Sequence, residues 1–243
     1  MTTPSFPELL SVVRREGEGI LACARAGLDV AVPTCGDWQM SDLLLHVGSV
    51  YHRAALVVGE RATEAVPWQQ PPADVEDPIG YLADALDELV QTLSDSQADS
   101  PAWNWSDQPA VAAFWARRMA HESAVHRYDA QRAHGVAQPI DADIAHDGMD
   151  ELIDLLLPRI IARDSPSLPT ATYTLRSTDD GTWHVQVGSD GIQRLETAKS
   201  SEVNARGTTS ALLLAAYGRV PWTSLEVDGD PAALDEWSRA FRF

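Results

Sequence analysis

Glu122 and His126 are the residues of this sequence whose types and spacing most directly suggest chemistry. They lie four residues apart in a segment that predicts a long helix, so their side chains would lie one above the other on one helix face. A carboxylate and an imidazole in that arrangement can share one metal ion. Asp129 follows on the same face, where its carboxylate could accept the second imidazole N–H of a ligand or orient a bound water.

His121 does not extend this pair, although His121 and Glu122 together begin like the zincin motif His-Glu-x-x-His. That motif needs two histidines at positions i and i+4. His121 and His126 are five residues apart, which at about 100° per residue places them roughly 140° apart around the helix. Glu122 and His126 therefore remain as the chelating pair. A structural Glu–His pair inside a helix explains the same spacing, so a third ligand from elsewhere is needed to favour metal binding.

His46 is the candidate for that third ligand. It lies in a predicted helix from about residue 40 to residue 58, and His52 lies elsewhere on the same helix. The apolar side of this helix carries Leu43, Leu44, Val47, Val50, Tyr51 and Ala54. A core histidine that is satisfied by hydrogen bonds is the alternative role for a residue in this position.

Four segments within the first 135 residues predict the helices that would position these side chains. The motif segment runs from residue 109 to residue 134 without an internal Gly or Pro and is followed by Gly135, a typical helix stop. Apolar residues recur at a helical period at about 5–30, 40–58 and 78–95. Four helices joined by short and medium links predict a bundle, whose sites are built from inward side chains of facing helices.

Beyond Gly135 the pattern changes to a mixture of helix and strand. A helix is predicted at 144–162, with Pro158 as a kink or an early stop, before a Ser- and Pro-rich linker at 165–169. Alternating segments around Asp-Asp-Gly predict a β-hairpin at 171–176 and 182–187. The other predicted elements are strands at 192–196, 202–206 and 224–227 and helices at 208–217 and 231–241. We therefore predict two domains, a helical metal-binding bundle at 1–163 and a small α+β domain at 164–243.

The composition excludes several classes of function. The net charge of −18 argues against binding to nucleic-acid phosphates or to anionic membranes, since no basic run offsets it. No apolar stretch approaches the length of a membrane span, and the N-terminus lacks a basic-then-apolar signal peptide. Cys23 and Cys35 cannot form a disulfide framework and are expected to be small buried residues. These features predict a soluble protein of a reducing cytoplasm.

Several motifs occur in an order that points to a known family. A Gly-Asp-Trp turn at 36–38 precedes Asp-Leu-Leu-Leu-His at 42–46, and Phe-Trp-Ala-Arg-Arg-Met-Ala-His-Glu at 114–122 leads into Val-His-Arg-Tyr-Asp-Ala at 125–130. The tail adds Leu-Leu-Leu-Ala-Ala-Tyr-Gly-Arg at 212–219. In this combination the sequence resembles the mycothiol-dependent maleylpyruvate isomerase family, and the resemblance spans nearly the whole chain.

The resemblance implies a fold and a site. The N-terminal half would be a DinB-like four-helix bundle, followed by a small α+β C-terminal domain. His46, Glu122 and His126 would bind a divalent ion, most often zinc, with Asp129 as a neighbour in the site. Two imidazoles and one carboxylate leave coordination positions open to water or a thiol, as expected of a catalytic zinc. The family's thiol is mycothiol, and a metal-bound thiol loses its proton readily.

The implied reaction is addition of a mycothiol thiolate to an electrophilic small molecule. In the isomerase reading, the thiolate adds to the cis double bond of an enone diacid, rotation follows, and expulsion of the thiolate leaves the trans isomer. Arg206 and Arg219 are the predicted cations for substrate carboxylates and the enolate. Arg53 and Arg61 are candidates by position only. Surface ion pairing is the alternative role for these arginines.

Three alternatives stay open from the sequence. A mycothiol S-transferase would use the same metal site but keep the sulfur attached to the electrophile. A non-catalytic metal- or thiol-binding module, acting as a sensor or a partner subunit, belongs to another class. A zinc hydrolase is disfavoured because Glu122 cannot freely act as a base while it is a ligand. We expect a monomer or a homodimer that takes a small-molecule substrate.

Overall fold

The computed structural model describes residues 3–243 and contains eight α-helices and five strands within them. The helices are α1 (Phe6–Ala24), α2 (Met40–Gly59), α3 (Pro78–Ser94), α4 (Ala112–Ala133), α5 (Ala142–Glu151), α6 (Leu157–Asp164), α7 (Thr209–Ala216) and α8 (Pro231–Ala240). The strands are β1 (Ala171–Ser177), β2 (Thr182–Gly188), β3 (Gly191–Leu195), β4 (Val203–Gly207) and β5 (Glu226–Gly229). The predicted class, four helices followed by a small α+β part, is confirmed. No helix within residues 3–243 combines the length and the apolar character needed to cross a membrane.

Helices α1 to α4 form a compact unit of residues 4–138. Helix α1 packs mainly against α4 and α3, and α2 packs mainly against α3 and α4. Their core-facing side chains recur at helical spacing and are fully buried, among them Val13, Ile20, Leu43, Leu44, Val47, Leu82 and Leu89. Helix α1 ends at Ala24, before the predicted end near residue 30. The N–H groups of Ala26 and Gly27 turn back to the carbonyls of Cys23 and Ala24, a tighter turn that closes the helix.

A buried ion pair joins α1 to α4. Arg127 Nε donates to Glu16 Oε2 at 2.6 Å, and Arg127 Nη1 donates to Gln131 Oε1 at 2.8 Å and to the Gln138 carbonyl at 2.7 Å. A buried guanidinium is tolerated only when its donors are met by acceptors, as they are here. Since Arg127 follows His126 in α4, this network sets the rotation of the motif helix within the bundle.

Residues 139–243 form the second compact unit, around a five-stranded sheet in the order β3-β2-β1-β4-β5. Strands β1 and β4 are parallel, and the other neighbouring pairs are antiparallel. The predicted hairpin is β1 and β2, turned at Gly181, whose φ of 100° favours glycine. Strand β5 begins two residues later than predicted because residues 222–224 form a short 3₁₀ turn.

The helical segment after Gly135 packs with the sheet unit. Helix α5 contacts α7, and α6 contacts β3. A π-helical turn at Leu152–Leu156 separates them, directly before Pro158 in α6. Such a widened turn suits the proline, which offers no N–H to a regular helical ladder. The domain boundary predicted between residues 163 and 164 lies at the end of this segment, before the last residue of α6, whereas the contacts divide the chain at Pro139. The division into domains at 1–163 and 164–243 stays a prediction.

Candidate metal centre

The three predicted ligands meet between α2 and α4. His46 Nε2 lies 3.2 Å from Glu122 Oε1, and His126 Nε2 lies 3.1 Å from the same oxygen. One donor atom from each of the three residues lies within 4.8 Å of the other two. The imidazole rings of His46 and His126 meet edge to face with centroids 5.1 Å apart. The structure therefore brings a carboxylate and two imidazole nitrogens to one point.

This donor set fits a single divalent ion. Zinc bonds to nitrogen and oxygen at about 2.0–2.2 Å, so donor atoms of a tetrahedral site lie roughly 3.3 Å apart. The two separations of 3.1 and 3.2 Å around Glu122 Oε1 are close to that value. Imidazole nitrogens suit zinc and its transition-metal competitors better than calcium or magnesium, which prefer oxygen ligands.

Helices α2 and α4 are held in register beside these ligands by a buried hydroxyl pair. Tyr51 Oη lies 2.6 Å from Ser123 Oγ, and the Ser123 hydroxyl donates to the Met119 carbonyl at 2.5 Å. The tyrosine is therefore the donor to the serine. Burial raises the pKa of Tyr51 well above its ordinary value, so the phenol keeps its proton. Because Ser123 follows Glu122 in α4, this bond fixes the position of Glu122 relative to α2, the helix that carries His46.

Asp129 lies behind His126. Its Oδ2 is 2.9 Å from His126 Nδ1, and its side chain is fully buried. Nδ1–H donates to this carboxylate, and Nε2 faces Glu122 and His46, where it could offer its lone pair to a metal ion once it is deprotonated. The arrangement matches the carboxylate and imidazole pairs that orient metal ligands in other proteins.

The charged groups of the centre shift one another's pKa values. Burial would raise the pKa of Glu122, but the Arg118 guanidinium and the His126 imidazole outweigh it and hold that pKa well below its ordinary value. Burial would lower the pKa of His126, but Glu122, Asp129 and Cys35 outweigh it and hold that pKa well above its ordinary value. The negative charge on Glu122 and a positive charge on His126 therefore favour one another.

Arg118 and Cys35 belong to the surroundings of the centre but were not predicted from the sequence. Arg118 forms an ion pair with Glu122 one turn later in α4 and is largely buried. Cys35 offers its sulfur to a second group of potential ligand atoms, with His126 and Asp129, within 4.8 Å of one another. The i, i+4 spacing of Arg118 and Glu122 was a usable signal. Cys35 is distant from α4 in sequence and gave none.

Two tryptophans flank His46. The Trp38 ring lies 5.0 Å from the His46 ring between centroids, and the Trp68 ring lies 6.4 Å away. Trp38 comes from the turn before α2, and Trp68 comes from the Pro-rich segment after it. Apolar rings beside His46 lower the polarity of its surroundings, which strengthens electrostatic interactions there.

The other histidines named from the sequence lie outside this group. His121 is buried, and its ring is not among the three donors of the His46, Glu122 and His126 group. His52 Nδ1 lies 2.6 Å from Glu88 Oε2, on the side of α2 that faces α3. Both positions follow from the helical spacing.

The arginines predicted to bind substrate have partners in their own units. Arg206 is exposed on β4 and pairs with Glu226 at 2.8 Å. Arg219 is buried, and its Nη1 donates to the carbonyls of Tyr217 at 3.1 Å and Phe243 at 3.2 Å. In the bundle, the Arg53 guanidinium lies over the rings of Trp68 and Trp103, at 5.8 and 5.6 Å from their centroids. The catalytic roles assigned to Arg206 and Arg219 stay predictions.

Comparison with known proteins shows two domain families along the chain. Residues 13–131 match the Mycothiol maleylpyruvate isomerase N-terminal domain, and residues 143–236 match the MDMPI C-terminal domain. No curated protein matches the sequence. Two crystal structures share the fold, one of mycothiol-dependent maleylpyruvate isomerase and one of a His-to-Ala mutant under the same name, with TM-scores of 0.68 and 0.70. Each is 13% identical, with 100% of both chains covered.

Proposed function

The chain belongs to the mycothiol-dependent maleylpyruvate isomerase family, and from that premise we propose that it is a mycothiol-dependent metalloenzyme. Its proposed reaction is the cis-trans isomerisation of an electrophilic enone diacid such as maleylpyruvate. The observation that supports this proposal is the set of donor atoms from His46, Glu122 and His126, all within 4.8 Å of one another. These residues would hold one divalent ion, and zinc is the ion we propose.

An ion bound there would lower the pKa of a coordinated thiol, so that thiolate is available near neutral pH. Addition of the sulfur to the cis double bond moves the electron pair of that bond onto the conjugated carbonyl oxygen, which gives an enolate. The former double bond is then a single bond, and the substrate can rotate about it. When the enolate forms its carbonyl again, the C–S bond breaks, and the trans isomer and the thiolate are released.

Residues of the bundle would orient and shield this chemistry. Asp129 would keep the proton of His126 at Nδ1 and so direct Nε2 toward the ion. Arg118 places a positive charge beside Glu122, where a guanidinium can bind a carboxylate of the substrate or oppose the enolate charge. Trp38 and Trp68 would limit the water around His46.

We further propose that Arg206 and Arg219 bind substrate carboxylates. Arg206 can leave its exposed pair with Glu226 at little cost, because a surface ion pair contributes about 0–1 kcal/mol. Arg219 is buried on two carbonyls, so its replacement should also lower the stability of the C-terminal unit. A raised KM in Arg206→Ala, with a Glu226→Gln control close to wild type, would support the assignment of Arg206.

The test begins with the metal content of the purified protein and a calorimetric titration with mycothiol on metal-loaded and metal-free samples. We expect mycothiol to bind only the metal-loaded protein. The isomerisation of maleylpyruvate is then followed by NMR, with mycothiol required for turnover. Metal binding without thiol binding would overturn the proposal.

Two other outcomes would reassign the function. A stable thioether between mycothiol and the electrophile, with no trans isomer, would make the protein an S-transferase that uses the same centre. Metal and thiol binding without turnover over a range of electrophiles would favour a sensor or a partner module. The three donor residues serve each of these functions equally, so the product analysis decides among them.

A further inference from the structure

A cavity of about 400 Å³ lies in the bundle, along α2, the helix that carries His46. It is lined by one side of α2, by α3 and by the Pro-rich segment at 66–72 that follows α2. Its polar walls include Ser49, His52, Tyr81 and Glu88. The residues of the metal centre do not line it, and the proposed reaction leaves it without a role.

The polar groups of the cavity are arranged to meet hydroxyls. The Ser49 hydroxyl donates to the Leu45 carbonyl at 2.8 Å, so the Tyr81 phenol, 3.1 Å away, is the donor to Ser49. The Tyr81 oxygen keeps its lone pairs as acceptors toward the cavity. Glu88 meets His52 through Oε2 at 2.6 Å, and a carboxylate has further acceptor capacity. Acceptors of this kind suit a ligand that carries several O–H donors.

The charges of the cavity disfavour an anionic ligand. Glu88 is an acid, and His52 is already paired with it. Arg53 directs Nη2 to the Val66 carbonyl at 2.9 Å, and its guanidinium is stacked on the rings of Trp68 and Trp103. His52 and Arg53 therefore do not form a site for an anion such as a substrate carboxylate.

The remaining wall is aliphatic. Leu56, Val66, Pro67 and Pro72 contribute apolar surface to the cavity, and Gln69 and Gln70 add neutral amides. A small-molecule site of this type combines apolar contact with a few placed polar groups. A ligand that fits this cavity would offer hydroxyls to the acceptors and C–H groups to the aliphatic wall. A neutral polyhydroxylated ring has both.

The cavity and the metal centre share helix α2 and the segment at 66–72. Ser49 lies three residues after His46, about one turn farther along the helix. From Ser49 to Leu56 the cavity follows α2 for about 10 Å, at 1.5 Å per residue. The segment 66–72 also serves both places, since Trp68 lies beside His46 while its neighbours Pro67 and Gln69 line the cavity.

We propose that this cavity binds the polyhydroxylated sugar and cyclitol portion of mycothiol while the cysteinyl sulfur lies at His46, Glu122 and His126. The inference rests on the proposed function for the identity of the ligand. In this proposal the bundle recognises the thiol co-substrate through contacts that are separate from those that bind the electrophile. Binding energy from this remote part of the ligand would place the sulfur for reaction.

The test compares mycothiol with N-acetylcysteine, which has the sulfur but lacks the ring portion. Calorimetric titrations use the zinc-loaded full chain as wild type, Glu88→Ala and Tyr81→Phe. Glu88 is exposed on α3, and Tyr81→Phe keeps the packed ring, so both variants should fold. Each should weaken mycothiol binding about tenfold, as expected for one lost hydrogen bond to a charged or polar group. Neither should change the affinity for N-acetylcysteine.

Asp87→Asn is the matched control, because Asp87 is an exposed acid of α3 whose partner is Arg14 and which does not line the cavity. It should leave both affinities as in wild type. Mycothiol binding that is unchanged in Glu88→Ala and Tyr81→Phe would overturn the inference, as would an equal loss for N-acetylcysteine.

A sulfur-free probe separates this inference from the proposed function. Glucosaminyl-inositol lacks the thiol, and its binding can be followed by saturation-transfer NMR without reference to the metal. Binding to wild type and loss of the signal in Glu88→Ala would support the cavity even if mycothiol showed no metal-dependent binding. If metal-dependent mycothiol binding were unchanged in Glu88→Ala and Tyr81→Phe, the proposed function would still hold, but the inference about the cavity would be wrong.

Discussion

The inner face of α4 in the bundle and the aromatic core around Trp237 in the sheet unit bury polar groups in different ways. On α4, the side chains of His126 and Asp129 are buried with Glu122 beside them, and their charges meet one another at 2.9 to 3.1 Å. In the core of the sheet unit around Trp237, the buried polar atoms belong to aromatic side chains that use backbone carbonyls as acceptors. Tyr173 Oη donates to the Ala233 carbonyl at 2.8 Å, and Trp237 Nε1 donates to the Ala216 carbonyl at 3.2 Å.

Because of this difference, we expect the two regions to affect different properties, metal binding in one case and the free energy of unfolding in the other. A buried carboxylate is costly unless a positive charge balances it, which the Arg118 guanidinium, the His126 imidazole or a metal ion can do for Glu122. An aromatic ring whose polar atom has a backbone acceptor adds burial at no such cost. Substitutions on the inner face of α4 should therefore alter metal binding first, whereas substitutions in the aromatic core should alter the free energy of unfolding first.

The largest effect should follow from removal of a ligand. His46→Ala, Glu122→Ala and His126→Ala should each weaken metal binding by more than about 100-fold, because even loss of a supporting partner costs 10- to 100-fold. Metal content after dialysis measures this, and circular dichroism should show a folded helical protein. His52→Ala and His121→Ala are the controls, with metal content close to wild type. Stoichiometric metal in His46→Ala would disprove the three-ligand centre.

The aromatic core of the second unit provides the opposite case. Trp237 is almost fully buried against Tyr173 and Phe241, with ring centroids 4.9 Å away in both pairs. Trp237→Ala should lower the free energy of unfolding by about 3–5 kcal/mol, through lost burial and a cavity. Urea unfolding followed by fluorescence and circular dichroism measures the loss. If the folded variant bound metal 100-fold more weakly, the proposed separation of the two roles would fail.

Asp129→Asn should give an intermediate effect within the bundle. The amide keeps the size of the side chain but removes the charge that holds the His126 Nδ1 proton. We expect metal affinity to fall about 10- to 100-fold, with little change in helix content. Competition against a chromophoric chelator measures the affinity. Wild-type affinity in this variant would show that Asp129 does not support His126.

The pH dependence of metal binding should reflect the proton on His126. The pKa of His126 is raised in the metal-free fold, so below that pKa an entering ion must displace the proton. Apparent affinity should then rise about tenfold per pH unit, and level off above that pKa. Because folding raises the pKa of His126, the protein without metal loses the stability contributed by His126 as the pH rises through the folded-state pKa. Calorimetry in buffers of different ionisation enthalpy counts the proton, and an affinity independent of pH would contradict this picture.

The smallest of these effects should come from the hydroxyl pair between α2 and α4. Tyr51→Phe removes the donor to Ser123 but keeps the buried ring. Loss of one buried hydrogen bond should cost about 1 kcal/mol of stability, with metal affinity lowered only slightly. Thermal unfolding and metal competition measure the two changes. Loss of metal comparable to that in Glu122→Ala would make Tyr51 part of the centre itself.

Local spacing in the sequence determined a large part of this protein. The apolar periods predicted four helices and a later mixed unit, because a buried helix face must repeat at 3.6 residues and a strand face at 2. The four-residue step between Glu122 and His126 placed them on one face, and the same arithmetic excluded His121. The order of motifs around His46 and α4 was enough to indicate the family, which the domain matches confirm.

Tertiary structure decided the contacts between residues far apart in the sequence. His46 and Glu122 are 76 residues apart, and Arg127 and Glu16 are 111 apart, so no local period could report either contact. The approach of Cys35 to His126 and the cavity between α2 and α3 depend in the same way on how separate elements pack. Sequence spacing fixes which side chains share a helix face, but only the packing of several helices fixes which faces meet.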